Sequence, residues 1–97
     1  MLRDVILMLL KEKKVMNTAQ IARALNRNYY AIYQELFRLK AKGYVDCLRA
    51  IELFNNNITG IDVLYWFLKG NKKEAVKLLK AVAKARKEKI YIAKKPF

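Results

Sequence analysis

The chain contains no histidine, one cysteine, one proline and three glycines in 97 residues. Without histidine it lacks the commonest general base and the commonest ligand of protein-bound zinc. Cys47 has no partner within the chain for a disulfide and cannot build a cysteine-cluster metal site. It reads as a small buried hydrophobe rather than a redox switch. So few glycines leave no Gly-rich phosphate loop, and the eight carboxylates are scattered rather than grouped. No metal, cofactor or catalytic residue is expected, and the chain does not read as an enzyme. Asp46, Glu52 and Asp62 could cluster only at the base of a hairpin, where solvated carboxylates are the plainer account. Long apolar runs are also missing. Residues 5–10 are far shorter than the ~20 that span a bilayer. Lys11, Glu12, Lys13 and Lys14 follow them, where a signal peptide would carry small residues. That stretch reads as a core helix of a cytoplasmic protein with no membrane partner.

What is abundant is positive charge. Twenty-one lysines and arginines against eight carboxylates give a net +13, the footprint of a polyanion partner. Residues 1–43 carry nine basic and three acidic side chains, residues 44–71 two and three, and residues 72–97 ten and two. The middle of the chain is therefore not where phosphates are mainly gripped. A 55% hydrophobic share supports one domain with one modest core.

Residues 18–43 organise the rest. Thr18 is placed as the N-cap of a helix over 18–25, with Ile21, Ala22 and Leu25 on its apolar face. Asn26, Arg27 and Asn28 form a turn, and Asn28 can cap a second helix over 29–42. Ile32, Leu36 and Leu39 fall on one stripe of that helix, and Gly43 supplies the left-handed position that ends it. At ~100° per residue, Tyr30 and Gln34 lie nearly opposite the stripe, with Tyr33, Phe37 and Arg38 flanking them. Tyr29, at about 60° from the stripe centre, reads as partly buried.

This pattern (Thr18, Ile21, Ala22, Leu25, then Asn28, Ile32, Leu36, Leu39, Gly43, Val45) resembles the winged helix-turn-helix of the PadR, MarR and ArsR transcriptional regulators. It covers a little under a third of the chain. The resemblance implies a mostly α fold with a small β-hairpin, an α+β winged helix with a C-terminal dimerisation helix. It also implies double-stranded DNA as partner, a homodimer, and a recognition helix in the major groove. Small PadR-like proteins include archaeal plasmid centromere binders that spread along DNA, so an architectural or segregation role stands beside regulation.

A first helix is expected over 2–13, with Leu2, Ile6, Leu9 and Leu10 on its main stripe, then an extended link at Val15 and Met16. The wing is expected over about 44–69. Its second arm, rich in Ile61, Val63, Tyr65, Trp66 and Phe67, favours a strand. Two helices are the competing reading, since Thr59 with Asp62 resembles a capping box and Gly70 a C-cap. The last helix is placed at about 72–90, opened by Asn71 and Glu74, and residues 91–97 read as strand-like or loose.

Candidate DNA contacts are Thr18, Arg27 and Asn28 at the helix entrance, and Tyr30, Tyr33, Gln34 and Arg38 on the second helix. Asn56 at the wing tip completes the set. Glutamine can pair bidentately with adenine, and arginine can reach guanine or phosphate. Candidate dimer contacts are Leu2, Ile6, Val76, Leu79, Val82 and Ala83. Charge alone does not separate DNA from RNA. A winged-helix protein-interaction module, presenting Tyr30, Tyr33 and Phe37, is the alternative from a different class.

Overall fold

The computed structural model describes residues 1–49 and 63–94, with side chains in the last helix described as far as Lys84. Its elements are α1 (Leu2–Lys13), β1 (Met16–Asn17), α2 (Thr18–Leu25), α3 (Tyr29–Ala41), β2 (Val45–Arg49), β3 (Leu64–Leu68) and α4 (Lys72–Lys94). Leu64–Leu68 of the second arm therefore form a strand, as their aromatic content favours, while Ile61 lies outside the described residues. Asn56 and the rest of the expected wing tip lie outside the described residues. Among the described residues, no helix is long and apolar enough to cross a membrane.

The sheet is antiparallel, in the order β1-β3-β2. Register pairs Trp66 with both Met16 and Cys47, and Phe67 with Asp46. Side chains alternate across a strand, so this register sorts the sheet into two apolar faces. On one face Val45 and Trp66 join Ile6, Leu10, Ile21, Ala22, Ile32, Leu36 and Leu39 in the main core. On the other, Leu48 and Phe67 pack with Ala75, and Val15 and Val76 lie against them. The sheet is thus a middle layer, with α1, α2 and α3 on one side and the start of α4 on the other.

Several expectations are corrected here. Asn17, not Thr18, caps α2. Its side chain accepts from the Gln20 amide at 2.8 Å, and the Gln20 side chain accepts from the Asn17 amide at 2.9 Å. This reciprocal box satisfies two orphan donors of the first turn. The minor strand falls at 16–17 rather than 15–16, because Asn17 must stay extended to cap. Residues 91–94 continue α4, since nothing from Lys72 to Lys94 breaks a helix before Pro96. Ile6 is fully buried in the chain's own core and offers no surface to a second subunit. The exposed apolar side chains of α1 and its N-cap are Val5 and Met8, with Met8 71% exposed, and Met1. Leu79 is likewise buried within the protomer, while Leu78 and Val82 on α4 are exposed and Leu2, Val76 and Ala83 are partly buried.

Candidate nucleic-acid interface

The geometry of α3 is set at both ends. Asn26 adopts a left-handed conformation (φ 51°), and the Arg27 amide donates to the Ala22 carbonyl at 2.9 Å, which closes α2. Asn28 then accepts from the amides of Tyr30 (2.8 Å) and Ala31 (3.4 Å) as the N-cap of α3. At the far end Gly43 (φ 85°) takes the conformation expected of it. Its amide donates to Lys40 and that of Tyr44 to Leu39, both at 3.0 Å, a Schellman closure. Between these caps Ile32, Leu36 and Leu39 are fully buried, so the helix is fixed in rotation as well as direction.

That rotation turns Tyr30, Gln34, Arg38 and Ala41 to solvent, with Tyr30 73% exposed. Tyr33, Gln34, Phe37, Arg38 and Ala41 line a shallow depression along the helix. Arg38 meets Glu35 at 3.5 Å. An exposed pair of this kind is worth ~0–1 kcal/mol, so Arg38 can leave it for a phosphate or a base at small cost. Glu35 is the lone carboxylate in residues 18–43, against Arg23, Arg27, Arg38, Lys40 and Lys42. The potential around α3 is accordingly positive.

An aromatic row runs beside this face into the core. Tyr30 meets Tyr29 edge-on with centroids 6.0 Å apart, Tyr29 stacks on Tyr33 at 6.1 Å, and Tyr33 meets Phe37 at 4.8 Å. Phe37 then stands edge-to-face on Trp66 at 5.1 Å. Tyr29 is 46% exposed, contrary to its expected partial burial. It belongs with the exposed surface, and helical angle alone does not reveal it. A second depression lies between Asn17, Thr18 and Ala19 of the α2 start, Tyr29 and Tyr33 of α3, and Val63 and Leu64.

The predicted contacts thus fall into two groups. Tyr30, Gln34 and Arg38 come together on one exposed face, with the half-buried Tyr33 beside them and Arg27 exposed at the turn. Thr18 and Asn28 are engaged internally. Thr18 is 3% exposed, and its hydroxyl accepts from the Trp66 indole Nε1 at 2.9 Å, which leaves no surface for a phosphate. Asn28 spends its side-chain oxygen on the cap. Replacing it (Asn28→Ala) should cost ~1 kcal/mol, read as a lower thermal midpoint. A midpoint equal to that of the unmodified chain would mean that the Asn28 side chain does not hold the start of α3.

No protein-family model matches the chain, and no curated protein matches it in sequence. Solved structures do. An apo-form mutant of Lactococcus lactis ZitR, itself a zinc-responsive MarR family member, superposes with a TM-score of 0.57 at 25% identity, covering 95% of this chain and 61% of that one. The fold is the winged helix-turn-helix of the MarR type. A transcriptional regulator homologue from Pyrococcus horikoshii gives a TM-score of 0.57 at 16% identity, covering 91% of this chain and 81% of that one. Streptococcus pneumoniae FabT, solved in complex with DNA, gives 0.54 at 21% identity, with 98% and 60% covered. The chain spans about three-fifths of the length of ZitR.

Proposed function

We propose that the chain binds double-stranded DNA as a homodimer and regulates transcription, each α3 entering a major groove. The observation that carries this is the outer face of α3. Tyr30, Gln34 and Arg38 are exposed together on a helix whose rotation is fixed by caps and a buried stripe. A two-fold dimer would place half-sites about one helical turn, ~34 Å, apart. MarR-type neighbours, one of them held on DNA, support the same reading. The zinc response of ZitR is not carried over, because this chain has no histidine and one cysteine to offer a zinc ion. It is not proposed to be an enzyme.

Gln34→Ala tests it. The side chain is exposed, so the fold should hold, while the loss of a bidentate base pairing costs ~1–3 kcal/mol at one position of the site. Affinity is measured for a selected duplex and a scrambled one, each over a range of salt. The selected duplex should weaken and the scrambled one should not. Equal weakening of both would mean that α3 does not read bases. Binding would then rest on charge, and a protein that spreads along DNA would become the better account, visible as a footprint that widens with protein concentration.

A further inference from the structure

We infer that the outer face of α4 is a second duplex-binding surface, indifferent to sequence and on the opposite side of the sheet from α3. One protomer can then hold two DNA segments at once. The inference goes beyond the reading above and rests on it for the first duplex alone.

Lys73, Lys77, Lys80 and Lys84 recur at intervals of four, three and four residues on α4 and are all exposed. At ~100° per residue they fall within about 60° of arc, and Ala75 lies roughly opposite their centre. Ala75 is the residue that α4 buries against Phe67 and Leu48. The lysine row therefore points away from the sheet. The buried stripe of α3 packs on the other sheet face, against the cluster containing Trp66 and Val45, so its reading face points away from the sheet in the opposite sense. The two surfaces cannot meet one straight duplex side by side.

The row is also electrostatically uncommitted. Among the described residues no ion pair involves the stretch from Lys72 to Lys84 of α4; Arg3 with Asp4, Lys13 with Glu12 and Arg38 with Glu35 pair elsewhere. Glu74 is the only carboxylate between residues 72 and 84, beside Lys72 and the four of the row. Like charges at i and i+4 weaken a helix, so the row is a cost to α4 unless an anion covers it. Its shape fits a duplex. From Lys73 to Lys84 the eleven helical steps span about 16 Å at ~1.5 Å each. That length of DNA carries ~10 phosphates over its two strands at one per ~1.7 Å, a density of negative charge that the row meets whatever the sequence. Lysine is a point charge without the planar fork of arginine, which suits gripping without reading. The row stays open in the proposed dimer, because the exposed apolar residues Leu78 and Val82 lie across the helix from it.

The test loads the full chain onto a bead-bound duplex carrying the selected site, then offers a labelled scrambled duplex. The unmodified protein should capture it. The triple variant Lys77→Gln, Lys80→Gln, Lys84→Gln should keep its helical circular dichroism and its affinity for the bead-bound site but lose capture. Its residual capture should have a salt slope lower by about 2.7, at ~0.9 for each phosphate that a lysine no longer neutralises. Arginine at the same three positions should restore capture, which separates missing charge from a damaged helix. The proposal is overturned if the unmodified chain captures no second duplex, or if the glutamine variant captures as well as the unmodified chain. It is equally overturned if both duplexes weaken together, since the row would then flank the DNA that α3 holds. A Gln34→Ala, Arg38→Ala variant keeps the two readings apart: loss of site preference tests α3, and binding of scrambled duplex through the lysine row persists regardless.

Discussion

Trp66→Ala should destabilise the chain by ~3–5 kcal/mol, the usual cost of emptying a buried tryptophan site. A domain of this size has ~5–15 kcal/mol in all, so the variant should be close to unfolding at body temperature. Trp66 is fully buried at the centre of the sheet, with Met16 and Cys47 as its cross-strand neighbours. Its ring stands edge-to-face with Phe37 of α3, and its indole donates to Thr18 at the start of α2. One side chain therefore holds both other strands and both helices of the motif in position. Because it is also the chain's one tryptophan, unfolding must be followed by far-ultraviolet circular dichroism rather than by emission. Trp66→Phe separates volume from hydrogen bonding: it keeps most of the packing and removes the N–H, for a smaller loss of ~1–3 kcal/mol. A Trp66→Ala protein within about 1 kcal/mol of the unmodified chain would mean that the helices do not depend on the sheet in this way.

The same residue marks where sequence reasoning stops. Helical periodicity places α1, α2 and α3 to within a residue, because each has an apolar stripe with turn or capping residues at its ends. The fate of Thr18 is different. A threonine before an apolar run reads as a cap, yet its hydroxyl is claimed by a residue 48 positions away, which no local pattern displays. The true cap did leave a signal, since Gln20 stands three residues after Asn17 in the spacing of a capping box. Ile6 shows a second limit. Periodicity finds the apolar stripe of α1 but does not say whether that stripe meets the chain's own core or another chain. Tyr29 shows a third, because its angle around the helix does not give its exposure. That Tyr30, Gln34 and Arg38 share one exposed face of α3 is legible because the opposite stripe is narrow and fully apolar.

The proposed dimer carries the other large expected effect. A Val82→Glu chain should sediment as a monomer and bind a two-half-site duplex ~10²–10⁴-fold more weakly, the avidity that disappears when a second binding event is no longer intramolecular. Val82 is the better probe than Leu79. Leu79 is buried within the protomer, so a charge there would unfold the chain and say nothing about assembly. Val82 is 48% exposed, and a carboxylate at its position is solvated in a free protomer but buried and unpaired in a dimer that uses α4. Among the described residues, Met1, Val5 and Met8 at and along α1, with Leu78 and Val82 of α4, are the exposed aliphatic side chains that folding of one chain leaves uncovered. Met8→Glu should act in the same direction if α1 contributes. Sedimentation at micromolar concentration gives the assembly, circular dichroism the fold, and single half-site affinity the integrity of α3. A monomer in the unmodified protein, or a Val82→Glu protein that remains a dimer with full affinity, would remove α4 as the dimerisation element. Half-site binding by α3 would survive either result, because its face is built within one protomer.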